Sequence, residues 1–193
     1  MTGSNFSAVR LAGGESRRMG RDKARVEFKG KTLIQMGMEK LHALGIQEIF
    51  ISGRASDDYS AYEYPVLLDL EPGFGPLGGI ERGLQACAKP LLLVLAVDLP
   101  LMTPAFLEKL CARCDDSIGI VPELDGRLEP LAAVYPKRCH TLASETLFTS
   151  RPAVQDFVGA CLKARAVRSY SVPAAEATLF FNWNSPADLP DSC

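Results

Sequence analysis

Residues 11–23 read LAGGESRRMGRDK, a stretch with three glycines, four cations and two acids. Gly13 and Gly14 carry no side chains, so their N–H groups can closely approach an anion. Arg17, Arg18 and Lys23 add positive charge within one short excursion. A polyphosphate, which needs several donors, suits such a loop. The stretch is not a P-loop, because Gly20 is followed by Arg21 and Asp22. It is not the dinucleotide pattern GxGxxG either, because Gly13 and Gly14 are adjacent. Taken alone, these glycines and cations also fit a basic surface turn. Glu15 and Asp22 are read as shaping the loop.

Three further stretches bear chemistry. Asp98 directly follows the apolar run Leu91 to Val97 (LLLVLAV), where a hard cation can meet a carboxylate. Mg²⁺ prefers one or two protein carboxylates and completes its shell with water and phosphate. Asp-Leu-Pro is also ordinary turn chemistry. In GFGPLGGIERGL, residues 73–84, Gly73, Gly75 and Pro76 precede a helix whose first turn holds Gly78 and Gly79, leaving exposed amides and room for a flat group. Asp69 stands just before it. A tight connection that needs positive φ angles explains the same glycines. In FFNWNSPADL, residues 180–189, Asn182 and Asn184 point the same way if the segment is extended. Paired amides can serve metal, phosphate, a heterocycle or simply a turn.

The elements that must position these residues alternate between strand and helix. Strands are expected at residues 7–12, 48–52, 64–68, 91–97, 118–122, 131–135 and 166–172, and helices at 32–44, 77–88, 103–113 and 154–163. A short closing helix is expected to start at Ser185. Gly45 stands where a helix-ending C′ residue belongs, and Thr103 with Pro104 reads as a cap followed by a first helical position. The run LLLVLAV has no period-two alternation, so it belongs in the middle of a parallel sheet covered on both faces. The runs at 118–122 and 131–135 flank Asp125-Gly126 and read as an antiparallel hairpin. The expected fold is a single α/β domain, a three-layer sandwich with a mainly parallel, Rossmann-like sheet. In such sheets ligands bind at the carboxyl ends of the strands. The glycine-rich loop and Asp98 both fall there.

The bulk numbers agree. With 193 residues, 47% apolar, 23% charged and a net charge of -2, the chain suits a soluble domain, and neither nucleic acid nor a membrane is expected as partner. The opening MTGSNFSAVR lacks a long apolar segment, so no signal peptide is expected and the default location is cytoplasmic. Cys111 and Cys114 form a CxxC inside the helical FLEKLCARC, and no second ligand pair stands at zinc spacing. Free thiols are the expectation.

Taken together, LAGGESRRMGRDK, GPLGG, VDLP, GRLEPLAAVY (126–135) and NWNSP resemble, in order, the motifs of the MobA family of molybdenum cofactor guanylyltransferases, a branch of the nucleotidyltransferases. The resemblance runs from about residue 8 to 189. It implies that Leu11, Ala12, Gly13 and Gly14 contact the nucleotide and that Arg18 and Lys23 hold its phosphates. Asp69 and Gly79 would lie near base or ribose, and Asp98 would hold Mg²⁺. Asn182 and Asn184 would face the pterin substrate or the metal, and Arg127 would face the substrate. The chain departs from the family at Ser52 in ISGR, where members often carry Asn, so the shorter hydroxyl reaches less far towards a ribose or base. The activity implied is transfer of GMP from GTP to the terminal phosphate of Mo-molybdopterin, with Lys23, Arg18 and Asp98 as catalytic groups. Transient contact with molybdenum-insertion or acceptor molybdoenzyme proteins is implied as well. CTP, another phosphorylated acceptor, or nucleotide binding without turnover remain open on the motifs alone.

Overall fold

The computed structural model describes residues 2–12, 26–54, 58–68 and 74–183. Its strands are β1 (Phe6–Leu11), β2 (Glu27–Phe28), β3 (Lys31–Thr32), β4 (Glu48–Gly53), β5 (Val66–Leu68), β6 (Leu91–Ala96), β7 (Gly119–Leu124), β8 (Arg127–Leu128), β9 (Ala132–Pro136) and β10 (Val167–Ser171). Its α-helices are α1 (Leu33–Ala43), α2 (Gly75–Ala86), α3 (Pro104–Cys111), α4 (His140–Leu147) and α5 (Val154–Lys163). The main sheet runs β10-β7-β9-β6-β1-β4-β5, with β8 paired to β7 outside that path. β1 pairs in parallel with both β4 and β6, and every residue of β1 and β6 is buried. The unbroken apolar run LLLVLAV is thus a central strand covered on both faces, as expected, but it is parallel only to β1 and antiparallel to β9 on its other side.

Local chemistry sets the helix ends. Thr32 caps α1 through a capping box: its hydroxyl accepts from the Gln35 N–H at 3.3 Å, while Gln35 Oε1 accepts from the Thr32 N–H at 2.9 Å. Gly45, at φ +76°, leaves the helix beyond its last turn. Thr103 caps α3 by accepting from the Phe106 N–H at 3.2 Å, with Pro104 at the first position. Helices α2, α4 and α5 pack on one another, and α1 packs with α3, so the sheet has a helical layer on each face. Among the described residues no helix is long and apolar enough to cross a membrane.

One expectation is corrected. Asp125-Gly126, both at positive φ, form the turn of a hairpin, but the strand across it is the two-residue β8. The run expected there, β9, does pair antiparallel with β7, as expected, but further from the turn, and it lies antiparallel beside β6 on its other side. The wholly buried AAVYP of β9 gains more from two neighbours at the sheet centre than from a single partner beside a turn. Helix α4 and the β2–β3 hairpin were not anticipated. In HTLASETL only Ala143, Thr146 and Leu147 are buried, a weak helical stripe, and strands of two residues leave no periodicity to read. The closing helix expected at Ser185 lies outside the described residues.

Candidate active site

The chain leaves β1 towards β4 and β5, then returns through α2 to place β6 on the other side of β1. The order of strands therefore reverses between β1 and β6, where a crevice opens at the carboxyl edge. Leu11 and Ala96 are paired neighbours there. The Val97 N–H donates to the Leu11 carbonyl at 2.9 Å, and the Ala12 N–H donates to the Ser52 carbonyl at 2.8 Å. The stretch beginning at Gly13 and the residue Asp98 thus leave from adjacent strands at one edge. Gly13, Gly14, Arg18, Lys23, Asp69 and Asn184 lie outside the described residues.

Helix α2 points its first turn at the same edge. Gly75 adopts φ +56°, which favours glycine at that entry. Gly79 is a close-approach position: a Cβ there would meet Ser52 Oγ at 2.3 Å and Leu11 Cδ2 at 2.7 Å. The helix therefore rests directly on the ends of β1 and β4. Ser52 is buried beneath Gly79. Leu11, Ala12, Ser52 and Gly79 accordingly form one contiguous patch.

Asp98 is half-buried. Its carbonyl accepts from the Trp183 N–H at 3.0 Å, and this bond brings the segment containing Asn182 onto the end of β6. Trp183 is buried, with Phe28 of the β2–β3 hairpin edge-on at 4.9 Å. Asn182 lines a cavity of about 370 Å³ together with Leu99, Arg127, Glu129, Pro130 and Gln155. The fold thus brings Arg127 and Asn182, far apart in sequence, to one hollow directly after Asp98. Burial pushes the Glu129 carboxyl up; the Arg127 cation opposes that shift and Asp98 adds to it.

Neither histidine joins this edge. His42 Nε2 contacts the Tyr64 hydroxyl, and His140 Nε2 lies 2.7 Å from Glu81 Oε1 between α4 and α2. Burial pushes both Cys111 and Cys114 up to about 12, which keeps them as thiols rather than metal-ligating thiolates. Among the described residues no group of three or more His, Cys, Asp and Glu is placed to hold a metal. A single carboxylate is the kind of ligand set Mg²⁺ accepts, because it takes most of its shell from water and phosphate.

Residues 8–161 match the model of the MobA-like NTP transferase domain. The chain belongs to this family. It is 37% identical over 188 residues to a probable molybdenum cofactor guanylyltransferase of Opitutus terrae, covering 96% of this chain and 93% of the relative. A protein of the same description from Natranaerobius thermophilus is 31% identical over 191 residues, covering 96% and 93%. Among solved structures, the molybdopterin-guanine dinucleotide biosynthesis protein A of Archaeoglobus fulgidus superposes with a TM-score of 0.76 at 28% identity, covering 95% of this chain and 94% of that one. A nucleotidyl transferase of Methanothermobacter shares the fold, with a TM-score of 0.77 at 20% identity over 96% and 94% of the two chains. The protein is a nucleotidyltransferase.

Three residues at this edge escaped sequence reasoning. Arg10 is buried on β1 and donates to the Ala96 carbonyl, Lys40 donates to the Pro100 carbonyl, and Glu129 lines the cavity. Arg10 did carry a signal, a cation inside the apolar stretch FSAVRLA.

Proposed function

We propose that this protein is a molybdenum cofactor guanylyltransferase. A terminal phosphate oxygen of Mo-molybdopterin attacks the α-phosphorus of GTP; the bond to the β-phosphate oxygen breaks, and pyrophosphate leaves. The observation that carries the reading is the convergence, at one reversal of strand order, of the β1 end, the α2 N-terminus and Asp98, with the Arg127–Asn182 cavity beside them. A donor nucleotide would lie over Leu11, Ala12 and Gly79, and the acceptor would enter the cavity. The names of the relatives support guanylyl transfer in particular.

The acceptor phosphate is largely dianionic near neutral pH, so transfer needs no strong general base. That agrees with histidines that sit elsewhere. Catalysis is then a matter of alignment and of neutralising charge. Arg18 and Lys23 neutralise the phosphates, Asp98 would hold Mg²⁺, and Asn182, Asn184 and Arg127 orient the acceptor. Gly13, Gly14 and Asp69 complete the nucleotide contacts. Mg²⁺, when bound, would supply charge neutralisation at the α- and β-phosphates. We also place the protein in the cytoplasm, in transient contact with molybdenum-insertion or acceptor molybdoenzyme proteins.

The test is a transfer assay with molybdopterin and each nucleoside triphosphate in turn, following pyrophosphate release. GTP alone should support turnover and give the guanine dinucleotide. Turnover with CTP and not GTP would overturn the guanylyl assignment and leave a cytidylyltransferase.

A further inference from the structure

Glu129 stands two residues after Arg127, and both line the cavity that they share with Asn182. Its backbone is fixed, because its N–H donates to the Pro122 carbonyl of β7 at 2.8 Å. The carbonyl just before it, that of Leu128, accepts from Gln155 Nε2 of α5 at 3.1 Å. The segment is thus held by a strand and by a helix. The carboxylate is not held in this way. It is half-buried, and it has no hydrogen-bond or ion-pair partner among the described residues. Burying polar oxygens without donors is costly, so a ligand that brings donors is favoured there.

The surroundings narrow the kind of ligand. Leu99, Pro130 and Leu131 give the cavity apolar wall, and its volume of about 370 Å³ suits a small heterocycle. A carboxylate accepts two parallel bonds where a ligand offers two N–H donors side by side. The pyrimidine ring of a pterin offers such a pair, its ring N3–H and its 2-amino group.

We propose that Glu129 determines acceptor specificity, its carboxylate accepting from the ring N3–H and the 2-amino group of the pterin. The inference rests on the cavity as the acceptor site. Guanine carries the same pair of donors, so the reaction holds two groups that this carboxylate could read. Position favours the pterin. Leu99, which follows Asp98, lines the cavity with Glu129, whereas Leu11 and Gly79 meet at the end of β1. A site built on such a pair rejects an analogue that lacks one donor, because the carboxylate oxygen is then left without a partner.

The test compares calorimetric binding of hydroxymethylpterin with that of hydroxymethyllumazine, in which oxygen replaces the 2-amino group. The wild type should bind the pterin about 10- to 100-fold more tightly, the worth of a hydrogen bond to a charged group. Glu129→Gln should reverse the order, because its amide N–H donates to the lumazine oxygen while its carbonyl accepts from the ring N–H. In the transfer assay, Glu129→Gln should raise KM for molybdopterin by a similar factor and leave KM for GTP as in the wild type. ITP, which lacks the 2-amino group of guanine, separates the two sources of the donor pair. A GTP-over-ITP preference that falls in Glu129→Gln would put the carboxylate on the donor base and overturn the proposal. Wild-type binding that does not favour the pterin, including binding of neither compound, overturns it without any variant. An unchanged KM for molybdopterin in Glu129→Gln does the same. None of these results touches guanylyl transfer, which fails only if the wild type makes no dinucleotide from GTP and molybdopterin.

Discussion

Gly79→Ala is the sharpest probe of how α2 is seated at the nucleotide edge. The added methyl group would stand 2.3 Å from Ser52 Oγ and 2.7 Å from Leu11 Cδ2, both well inside contact distance. Neither neighbour yields easily, because Leu11 and Ser52 are buried on β1 and β4. Overpacking of this kind costs about 1–3 kcal/mol. Against it stands the helix preference for alanine over glycine, about 1 kcal/mol. With rigid neighbours the clash falls in the upper part of its range, which leaves a net loss of about 1–2 kcal/mol. That corresponds to a melting temperature lower by roughly 2–8 °C for a domain of this size. Ser52→Ala removes the nearer obstacle, so the double variant should recover about 0.5–1 kcal/mol in a mutant cycle. Urea denaturation gives the stabilities, and KM for GTP should rise in Gly79→Ala as the helix end lifts off Leu11. A Gly79→Ala protein as stable as the wild type, with no coupling to Ser52, would refute the close seating of α2.

Two further predictions concern buried charge. Glu81 is 5% exposed, and its Oε1 lies 2.7 Å from His140 Nε2 and accepts from Ser144 Oγ at 3.1 Å, so His140→Ala should cost ~1–3 kcal/mol in chemical denaturation; a change below about 0.5 kcal/mol would show that Glu81 does not depend on the histidine. Lys40 is lowered to about 8 from 10.5, by burial first and by the Arg10 cation second. Between those pH values the unfolded chain binds more protons at this site than the folded one, so stability rises with pH across the window. The stability of the wild type relative to Lys40→Met should therefore be flat below about pH 8 and climb towards pH 10.5; a flat difference throughout would mean that Lys40 is not desolvated.

Where one physical signal dominated, the sequence was easy to read. LLLVLAV could only be a strand covered on both faces, and Thr103-Pro104 could only open a helix; both stand in the structure. That the residues after β1 and Asp98 fall at one edge of the sheet followed from the rule that ligands bind at strand carboxyl ends, and the β1–β6 register, which pairs Leu11 with Ala96, agrees with it. Tertiary partners were harder to read. Asp125-Gly126 announces a turn, but nothing local says that the strand across it is β8 and that β9 belongs beside β6. Arg10 illustrates the same limit. Its charge in an apolar run was visible, but its hydrogen bonds to Ala96 and Leu33 join residues 86 and 23 positions away. Likewise the shared cavity of Arg127 and Asn182 depends on the Trp183–Asp98 backbone bond, which has no trace in either motif.

The most direct measurement is single-turnover transfer by Asp98→Asn, with GTP binding measured in parallel. The substitution keeps the shape at the end of β6 and removes the charge. If Asp98 anchors the metal where β1, β6 and α2 converge, GTP should still bind within a few-fold of wild type while transfer falls by about 10²–10³ or more. Transfer at the wild-type rate, with GTP bound normally, would contradict the placement of the active site at this edge.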